Sequence, residues 1–183
     1  MNKVRVIGGE LRSRVIRFPD AEGLRPTPDR VRETLFNWLG QTLYGRSCLD
    51  LFAGSGALGF EAASRGAEQV VMVERNRTVF RALRENANIL GCANVFVHTQ
   101  DGLEFALHDA QHYDVIFLDP PFQYSSKGDY LPKLLEILPQ RLNDGGVVYV
   151  ESGAAMEIPP PWQVIKSGKA GQVHYKLLGR ADD

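Results

Sequence analysis

The chain has 183 residues, of which 44% are hydrophobic and 23% are charged, which is typical of a globular protein and argues against a disordered one. A single domain of this length buries a substantial core. It contains no apolar run of about 18 residues, and its first residues lack the apolar segment of a signal peptide, so we expect a cytoplasmic protein. Two isolated cysteines, Cys48 and Cys92, are typical of a reducing compartment.

The net charge of −1 hides an uneven distribution of charge along the chain. Residues 1–46 carry nine Lys and Arg against five Asp and Glu, a net charge of +4, and residues 47–183 carry −5. A basic excess in one contiguous segment favours a surface that contacts phosphate groups, and a solvated arginine-rich surface is the alternative. We expect one domain, with a basic extension over residues 1–23 and a core over residues 24–183.

Two short runs near the amino terminus, 3–7 and 13–18, alternate basic and apolar residues. The Gly8-Gly9 pair between them is a turn signal, so we predict a β-hairpin with one basic and one apolar face. The basic face makes the hairpin a candidate for binding a polynucleotide, and a structural flap is the alternative. The candidate arginines are Arg12, Arg14 and Arg17.

A helix is predicted directly after the proline-rich segment 25–28. Thr27 suits the N-cap position and Pro28 the first helical position. Two prolines stiffen this segment, which suits the wall of a binding cleft, and a plain connector is the alternative. Gly40 ends the helical pattern, whose apolar residues fall on one face at helical spacing: Val31, Leu35, Trp38 and Leu39.

From residue 47 onward, strand and helix patterns alternate. We predict strands over 47–52, 69–73, 94–98, 113–118, 146–151, 162–167 and 172–178, and helices over 57–65, 76–90 and 129–141, with a short helix after 101. Near-continuous apolar strands separated by helices are typical of a parallel sheet covered on both faces. The last two strands have no helix between them, so we expect a mostly parallel seven-stranded α/β sheet whose last strand is antiparallel.

Carboxylates lie at or near the ends of four of the predicted strands. Ligands bind such sheets at the carboxyl ends of the strands, so we expect these side chains to gather at one site. They are Asp50, Glu74, Asp101 and Asp119.

The loop after the first core strand carries the spacing G-x-G-x-x-G at Gly54, Gly56 and Gly59, which indicates a nucleotide-containing cofactor without identifying it. Glu74 follows the next strand, where a carboxylate accepts hydrogen bonds from both hydroxyls of a ribose. The other candidate cofactor residues adjoin these positions: Phe52, Ala53, Ser55, Arg75 and Gly102.

Asp50 favours S-adenosyl-L-methionine (AdoMet) over a nicotinamide dinucleotide. An anion directly before the glycine loop attracts the ammonium group of a methionine moiety and repels a pyrophosphate. Asp101 is placed to accept from an adenine amino group, and no hydride-transfer apparatus is visible in the sequence. The scattered His and Cys residues have no metal-ligand spacing, so we expect no metal.

The tetrad Asp119-Pro120-Pro121-Phe122 follows an apolar strand. The Asp119 carboxylate and the Pro120 carbonyl are two acceptors that can hold the hydrogens of an amino group. The prolines fix the backbone and lack N–H donors that would compete, and Phe122 offers a face for stacking an extruded base. A mere strand terminus with Phe122 in the core is the alternative.

Taken together, the stretch 49–59, Glu74, Asp101 and this tetrad resemble the motifs of class I AdoMet-dependent methyltransferases. With the amino-terminal stretch 6–12 and the stretch 25–37 added, the chain resembles the RsmD family. That resemblance implies a Rossmann-like class I methyltransferase fold. It also implies methyl transfer from AdoMet to the exocyclic N2 of a guanine in bacterial 16S rRNA, at position 966 of that RNA.

The resemblance implies 16S rRNA as the partner, within a small ribosomal subunit or its assembly intermediate, and we expect a monomeric enzyme. Further candidate RNA contacts are Lys127, Lys166 and Lys169, and the 123–130 loop is either a lid over the substrate or an ordinary surface loop. Two other functions stay open at this point. The tetrad also suits adenine-N6 methylation of DNA or RNA, and a catalytically silent module could keep AdoMet only for folding.

Overall fold

A small two-stranded sheet and a seven-stranded sheet organise the computed structural model, which describes residues 1–121 and 130–182. In chain order the strands are β1 (Asn2–Arg5), β2 (Val15–Phe18), β3 (Ser47–Asp50), β4 (Gln69–Val73), β5 (Val95–His98), β6 (Tyr113–Leu118), β7 (Leu142–Ser152), β8 (Trp162–Ala170) and β9 (Val173–Arg180). The helices are α1 (Asp29–Trp38), α2 (Ala57–Ser64), α3 (Arg77–Ile89), α4 (Gly102–His108) and α5 (Tyr130–Ile137), and a 3-10 turn covers Leu138–Arg141. No helix within this described part of the chain has the length and hydropathy needed to cross a bilayer.

The large sheet has the strand order β5-β4-β3-β6-β7-β9-β8. The pairs between β5 and β7 are parallel, and β9 runs antiparallel to both of its neighbours. The prediction of a mostly parallel seven-stranded sheet with an antiparallel last strand is therefore confirmed. β3 lies between β4 and β6, where the strand order reverses, and such switch points are where open α/β sheets bind their ligands.

Two hydrophobic clusters cover the two faces of the large sheet, because successive side chains of a strand point to opposite faces. In β6, Val115 and Phe117 pack with the amino-terminal hairpin, α1, α2 and α3. Ile116 and Leu118 pack with α4, α5 and the 3-10 turn. The apolar residues of the hairpin belong to the first cluster, so the hairpin shares the main core.

The helix predicted over 129–141 ends earlier than the apolar pattern indicates. Residue 129 lies outside the described residues, α5 ends at Ile137, and Pro139 lies at the start of the 3-10 turn. Proline has no amide to donate to the carbonyl four residues before it, which here belongs to Leu135. The Trp162 indole donates to that carbonyl instead, at 2.6 Å, so β8 satisfies the backbone group that Pro139 leaves open.

The amino-terminal hairpin forms as predicted, with β1 antiparallel to β2, but Gly8-Gly9 is not a tight turn between them. The connection runs over residues 6–14, and Gly9 adopts a φ of +80° with its Cα against α2. A Cβ at Gly9 would lie 2.0 Å from the Ser64 carbonyl oxygen. The glycine pair therefore allows a close approach to α2.

A buried carboxylate on α2 fixes this connection to the core. Glu61 accepts hydrogen bonds from the amides of Ile7 and Gly8, each at 2.9 Å, and its charge is balanced by Arg32 at 3.4 Å and Arg65 at 2.9 Å. The side chains of Glu61 and Arg32 are both fully buried. A charged group without water needs such partners, so the amino-terminal segment depends on this network.

Replacing Glu61 by Ala is expected to lower the free energy of unfolding by about 3 kcal/mol or more, because the buried Arg32 loses its buried counter-charge, keeping only the exposed Asp29, and two backbone amides lose their acceptor. Urea unfolding measures this loss. Glu68→Ala removes an exposed carboxylate of similar size and is expected to change the stability by less than about 0.5 kcal/mol. Equal, small effects of the two substitutions would contradict a structural role for the network.

Candidate active site

A cavity of about 620 Å³ opens at the carboxyl edge of the large sheet. Its walls come from the ends of β3, β4, β6 and β7, from the start of α4, and from residues 21–28, which precede α1. Its volume falls within the range of small-molecule and cofactor sites. The predicted gathering of strand-end carboxylates is observed here, since all four line this cavity: Asp50, Glu74, Asp101 and Asp119.

Residues 21–28 form a wall of this cavity, so the proline-rich segment 25–28 lies in a cleft wall and is not a plain connector. Leu24 from this wall reaches the glycine loop, where a Cβ at Gly54 would lie 2.8 Å from the Leu24 Cδ1 atom. Gly54 also has a φ of +53°. A side chain at this position would therefore be strained and would push the wall away from the loop.

The glycine loop between β3 and α2 contributes four of its five predicted cofactor residues to the cavity lining: Phe52, Ala53, Gly54 and Ser55. Gly56 is not among the lining residues. A Cβ at Gly56 would lie 2.6 Å from the Phe60 ring, and a Cβ at Gly59 would lie 2.4 Å from the Met72 Cε atom. Gly56 therefore leaves room for the Phe60 side chain of the following turn of α2, and Gly59 lets α2 pack closely on Met72 of β4. Of the three glycines in the G-x-G-x-x-G pattern, Gly54 lines the cavity, and the other two allow close helix packing.

Asp50 is buried at the end of β3 on the cavity wall. Burial raises its pKa to about 7, the nearby Glu74 charge acts in the same direction, and backbone hydrogen bonds from Phe52 and Gly59 oppose the shift. Its Oδ1 atom is buried and receives no hydrogen bond from any residue that the structure describes. An unpaired carboxylate oxygen at such a place suits a cationic donor, so the site fits the ammonium group of AdoMet.

Glu74, at the end of β4, is held by the two loops that flank it. Its Oε1 atom accepts from the Gly54 amide at 3.1 Å, and its Oε2 atom accepts from the Asn76 amide at 2.7 Å. Each carboxylate oxygen keeps a further acceptor site. The carboxylate is therefore fixed in orientation and still able to accept hydroxyl hydrogens. Arg75, the next residue, also lines the cavity.

Asp101 serves as the N-cap of α4, where its Oδ2 atom accepts from the Glu104 amide at 3.1 Å. Its Oδ1 atom accepts from the Tyr130 hydroxyl at 2.8 Å. The Tyr130 ring packs against Phe52 at 5.7 Å between ring centroids. Gly102 also lines the cavity, and a Cβ there would lie 2.7 Å from the Leu51 carbonyl oxygen. Through these contacts, Tyr130 connects α5 to the part of the cavity that Asp101 and Phe52 line.

On the other side of the cavity, one hydroxyl lies between two carboxylates. The Thr27 Oγ1 atom is 3.2 Å from the Asp119 Oδ2 atom and 3.5 Å from the Glu151 Oε2 atom. The Tyr149 hydroxyl donates to the same Glu151 oxygen at 2.8 Å. Burial, with the neighbouring Glu151 charge, raises the pKa of Tyr149, so its hydroxyl stays protonated and remains a donor.

Burial makes both of these carboxylates harder to ionise. Burial raises the pKa of Asp119 well above its usual range, and the charges of Glu151 and Asp50 add to the effect, while the Thr27 hydrogen bond opposes it. Burial also raises the pKa of Glu151, against its hydrogen bonds with Tyr149 and Thr27. Among the residues that the structure describes, no three His, Cys, Asp or Glu side chains form a group suited to holding a metal.

Sequence reasoning missed Thr27, Tyr149 and Glu151 as members of the site. The predicted N-cap role of Thr27 is wrong, because Pro28 occupies the N-cap position and the Thr27 hydroxyl extends into the carboxylate cluster instead. Glu151 could have been found, since it follows the apolar run of β7 as Asp119 follows that of β6. No sequence pattern marks Thr27 or Tyr149.

Of the predicted catalytic tetrad, Asp119 and Pro120 line the cavity together with Pro121. Phe122, Lys127 and the rest of the candidate lid up to residue 129 lie outside the described residues.

The remaining candidate RNA contacts are exposed but do not line the cavity: Arg12, Arg14, Arg17, Lys166 and Lys169. The three arginines lie on the hairpin and its connection, where Arg14 donates to the Ile89 carbonyl at the end of α3 at 3.3 Å. The two lysines lie on the edge strand β8. In the register of the sheet, Lys169 of β8 lies opposite His174 of β9, and His174 lies opposite Ser152 at the end of β7. Ser152 lines the cavity, so Lys169 lies at the same carboxyl edge of the sheet. Their contact with RNA stays a prediction.

The solved structure of a putative methyltransferase, yhhF, from Escherichia coli matches the chain with a TM-score of 0.87 at 39% identity, and the match covers 98% of each chain. The fold is that of the Rossmann-like methyltransferases. A family model described as conserved hypothetical protein 95 matches residues 4–179. The chain is 39% identical to ribosomal RNA small subunit methyltransferase D of Escherichia coli, over 97% of this chain and 90% of the relative, and 40% identical to the protein of the same name from Haemophilus influenzae, over 96% and 93%. It therefore belongs to the RsmD family.

The raised pKa of Asp50 predicts a pH-dependent cost to the stability of the ligand-free protein. Between the pKa of an unfolded aspartate, about 4, and the value of about 7 in the folded chain, the folded state binds more protons than the unfolded state. Stability therefore falls as the pH rises through this window. Asp50→Asn cannot ionise, so its free energy of unfolding relative to wild type is expected to increase by about 2 kcal/mol between pH 5 and pH 8.

Urea unfolding of both proteins at the two pH values measures this difference. Asp144→Asn, at a fully exposed position, serves as the matched control and should show no such pH-dependent gain. A constant difference between wild type and Asp50→Asn across the window would show that Asp50 ionises normally.

Proposed function

We propose that this protein transfers a methyl group from AdoMet to the exocyclic N2 of a guanine in 16S rRNA, within a small ribosomal subunit or its assembly intermediate. Relatives named ribosomal RNA small subunit methyltransferase D support the class of substrate. The observation that carries the proposal is one cavity with two acidic parts. The unpaired Asp50 Oδ1 atom suits the cofactor, and the Asp119 carboxylate suits an amino group.

Three carboxylates would hold the cofactor at its three polar parts. Asp50 would pair with the ammonium of the methionine moiety, Glu74 would accept from the ribose hydroxyls, and Asp101 would accept from the adenine amino group. Backbone of the glycine loop at Gly54, backed by Leu24, would close the cavity around the ligand. Bound AdoMet supplies a methyl group on a positively charged sulfur, and no metal is needed for its transfer.

The amino group of a purine is a poor nucleophile, because its lone pair is delocalised into the ring. The chain can compensate by geometry. The Asp119 carboxylate and the Pro120 carbonyl accept the two amino hydrogens, which favours a nitrogen whose lone pair points at the methyl group. The prolines at 120 and 121 offer no competing amide donors. Phe122, outside the described residues, would stack on a base flipped out of the RNA.

Methyl transfer leaves the nitrogen with a positive charge and one proton too many. Asp119 would take this proton, since its carboxylate holds the amino hydrogens in the proposed complex. Its raised pKa brings it nearer to the working pH, which makes it a better base than an ordinary aspartate. The Thr27 hydroxyl, which lies between Asp119 and Glu151, holds the Asp119 carboxylate in place.

The function is tested by incubating the protein with AdoMet carrying a tritiated methyl group and either small ribosomal subunits from cells that lack this gene or naked DNA. We expect label in 16S rRNA, and nucleoside mass analysis should identify it as N2-methylguanosine. Label in DNA adenine alone would favour the adenine-N6 alternative. No transfer to any nucleic acid, with AdoMet still bound, would favour a catalytically silent module.

Asp119→Ala is expected to lower kcat by about 100-fold or more, because the amino group loses both its main acceptor and its base. The dissociation constant for AdoMet, measured by calorimetry, should stay near that of wild type. Glu74→Ala should show the reverse pattern, with weaker AdoMet binding as its primary defect. A wild-type rate in Asp119→Ala would contradict the role given to the tetrad.

A further inference from the structure

Glu151 is a second carboxylate on the substrate side of the cavity, and the function proposed above gives it no contact with the base. Its Oε2 atom accepts from Tyr149 at 2.8 Å and lies 3.5 Å from the Thr27 hydroxyl. Its Oε1 atom receives no hydrogen bond from the described residues, and it is not one of the fully buried unpaired atoms. One oxygen is therefore held by the protein and the other is left available on the cavity wall.

Asp119 shows the same division between its two oxygens. Its Oδ2 atom is 3.2 Å from the Thr27 hydroxyl, and its Oδ1 atom receives no hydrogen bond from the described residues. Because both carboxylates lie within hydrogen-bond distance of the one hydroxyl, their two available oxygens belong to neighbouring positions on the same wall. The substrate side of the cavity thus presents two adjacent acceptors.

Guanine and adenine present different hydrogen-bonding groups to a pair of adjacent acceptors. The Watson–Crick edge of guanine carries the N1–H donor directly beside the N2 amino donor, so two neighbouring hydrogens point outward. The corresponding edge of adenine carries the N6 amino donor beside N1, which is an acceptor. An ionised carboxylate only accepts hydrogen bonds, so it pairs with N1–H and repels the N1 lone pair. Enzymes that flip a base identify it at this edge.

We propose that Glu151 is a specificity-determining residue that accepts the N1–H of the target guanine while Asp119 holds the N2 amino group. This inference rests on the function proposed above and adds the reason why guanine is chosen over adenine. Tyr149 and Thr27 orient Glu151 for this contact by fixing its Oε2 atom. The Asp119 and Glu151 carboxylates together distinguish the bases by a repulsive contact with adenine as well as by an attractive contact with guanine.

The charge of the site agrees with this role once the cofactor is present. Burial raises the pKa values of both carboxylates, and the charges of Glu151 and Asp50 raise that of Asp119 further. Among the described residues, the other groups that act on their pKa values are Asp50, Thr27 and Tyr149, none of which is a cation. The positive sulfur of AdoMet and the two hydrogens of guanine both favour the ionised pair. The binary complex with AdoMet is therefore the state that selects guanine.

The test compares two substrates that both carry the reacting amino group. The methylated position is first located by mass analysis of ribonuclease fragments of the labelled 16S rRNA. Small subunits are then reconstituted with 16S rRNA that has either guanine or 2-aminopurine at that position. 2-Aminopurine keeps the 2-amino group but replaces N1–H by an N1 lone pair. For wild type we expect kcat/KM to be about tenfold or more lower with 2-aminopurine, since a carboxylate would face that lone pair.

Glu151→Gln is expected to bring the ratio of the two kcat/KM values towards one. Its amide can donate to the N1 of 2-aminopurine or accept from the N1–H of guanine, so it no longer separates them. Glu157→Gln removes an exposed carboxylate of the same size and should keep the wild-type ratio. AdoMet binding, measured in parallel, reports whether each variant is folded. A purely structural role for Glu151 would lower both rates and leave their ratio unchanged.

An unchanged ratio in a folded Glu151→Gln variant would overturn the inference, and N2-methylguanosine formed by wild type would still support the proposed function. If wild type forms N6-methyladenine instead, the proposed function fails and the inference fails with it. If the Glu151→Gln variant does not fold, the comparison of the two substrates with wild type alone tests the role of Glu151. Equal kcat/KM values for guanine and 2-aminopurine would then overturn the role of Glu151.

Discussion

The gathering of carboxylates at the carboxyl ends of the central strands is the constraint on which the rest of the site depends. Parallel strands bring Asp50, Asp119 and Glu151 to one edge of the sheet, and the resulting cavity is shielded enough that all three pKa values rise. Such an arrangement is unfavourable in the empty protein, because like charges lie together in a low dielectric. It becomes favourable when a cation enters, and the unpaired Asp50 Oδ1 atom marks the place for one.

A second charged network adjoins the first at Thr27. The buried Arg32 side chain donates to the carbonyls of Thr27 and Arg5 and pairs with Glu61. Arg32 thereby fixes the backbone of Thr27, whose hydroxyl lies between Asp119 and Glu151. Because Glu61 also holds the amides of the hairpin connection, the amino-terminal extension and the substrate side of the cavity share one anchor.

Much of this arrangement follows from local patterns in the sequence. Apolar runs and the residues that end them predict the parallel sheet and place four carboxylates correctly at its carboxyl edge, because a strand fixes both its own direction and the position of its last side chain. Helix ends were harder to predict. α5 ends where Pro139 removes an amide, although the apolar pattern continues beyond that point.

The roles of Thr27, Tyr130 and Gly56 depend on tertiary contacts that no local pattern encodes. Thr27 has the residue type and the position of a helix cap, but the carboxylates that it contacts are 92 and 124 residues away in the sequence. Tyr130 contacts Asp101 although it lies 29 residues later in the sequence. Gly56 belongs to the cofactor fingerprint by spacing, yet the Phe60 and Leu83 side chains are what require a glycine there. The role of each of these three residues is decided by a contact with a residue from another structural element or another helical turn.

A crystal structure of the protein with S-adenosylhomocysteine tests the central claim most directly, namely that the strand-end carboxylates form the seat of the methyl donor. The account predicts that the amino nitrogen of the ligand lies about 3 Å from the Asp50 Oδ1 atom. It also predicts that the sulfur points towards Asp119 and Glu151. A ligand whose amino group binds elsewhere, with the Asp50 Oδ1 atom still unpaired, would contradict the account.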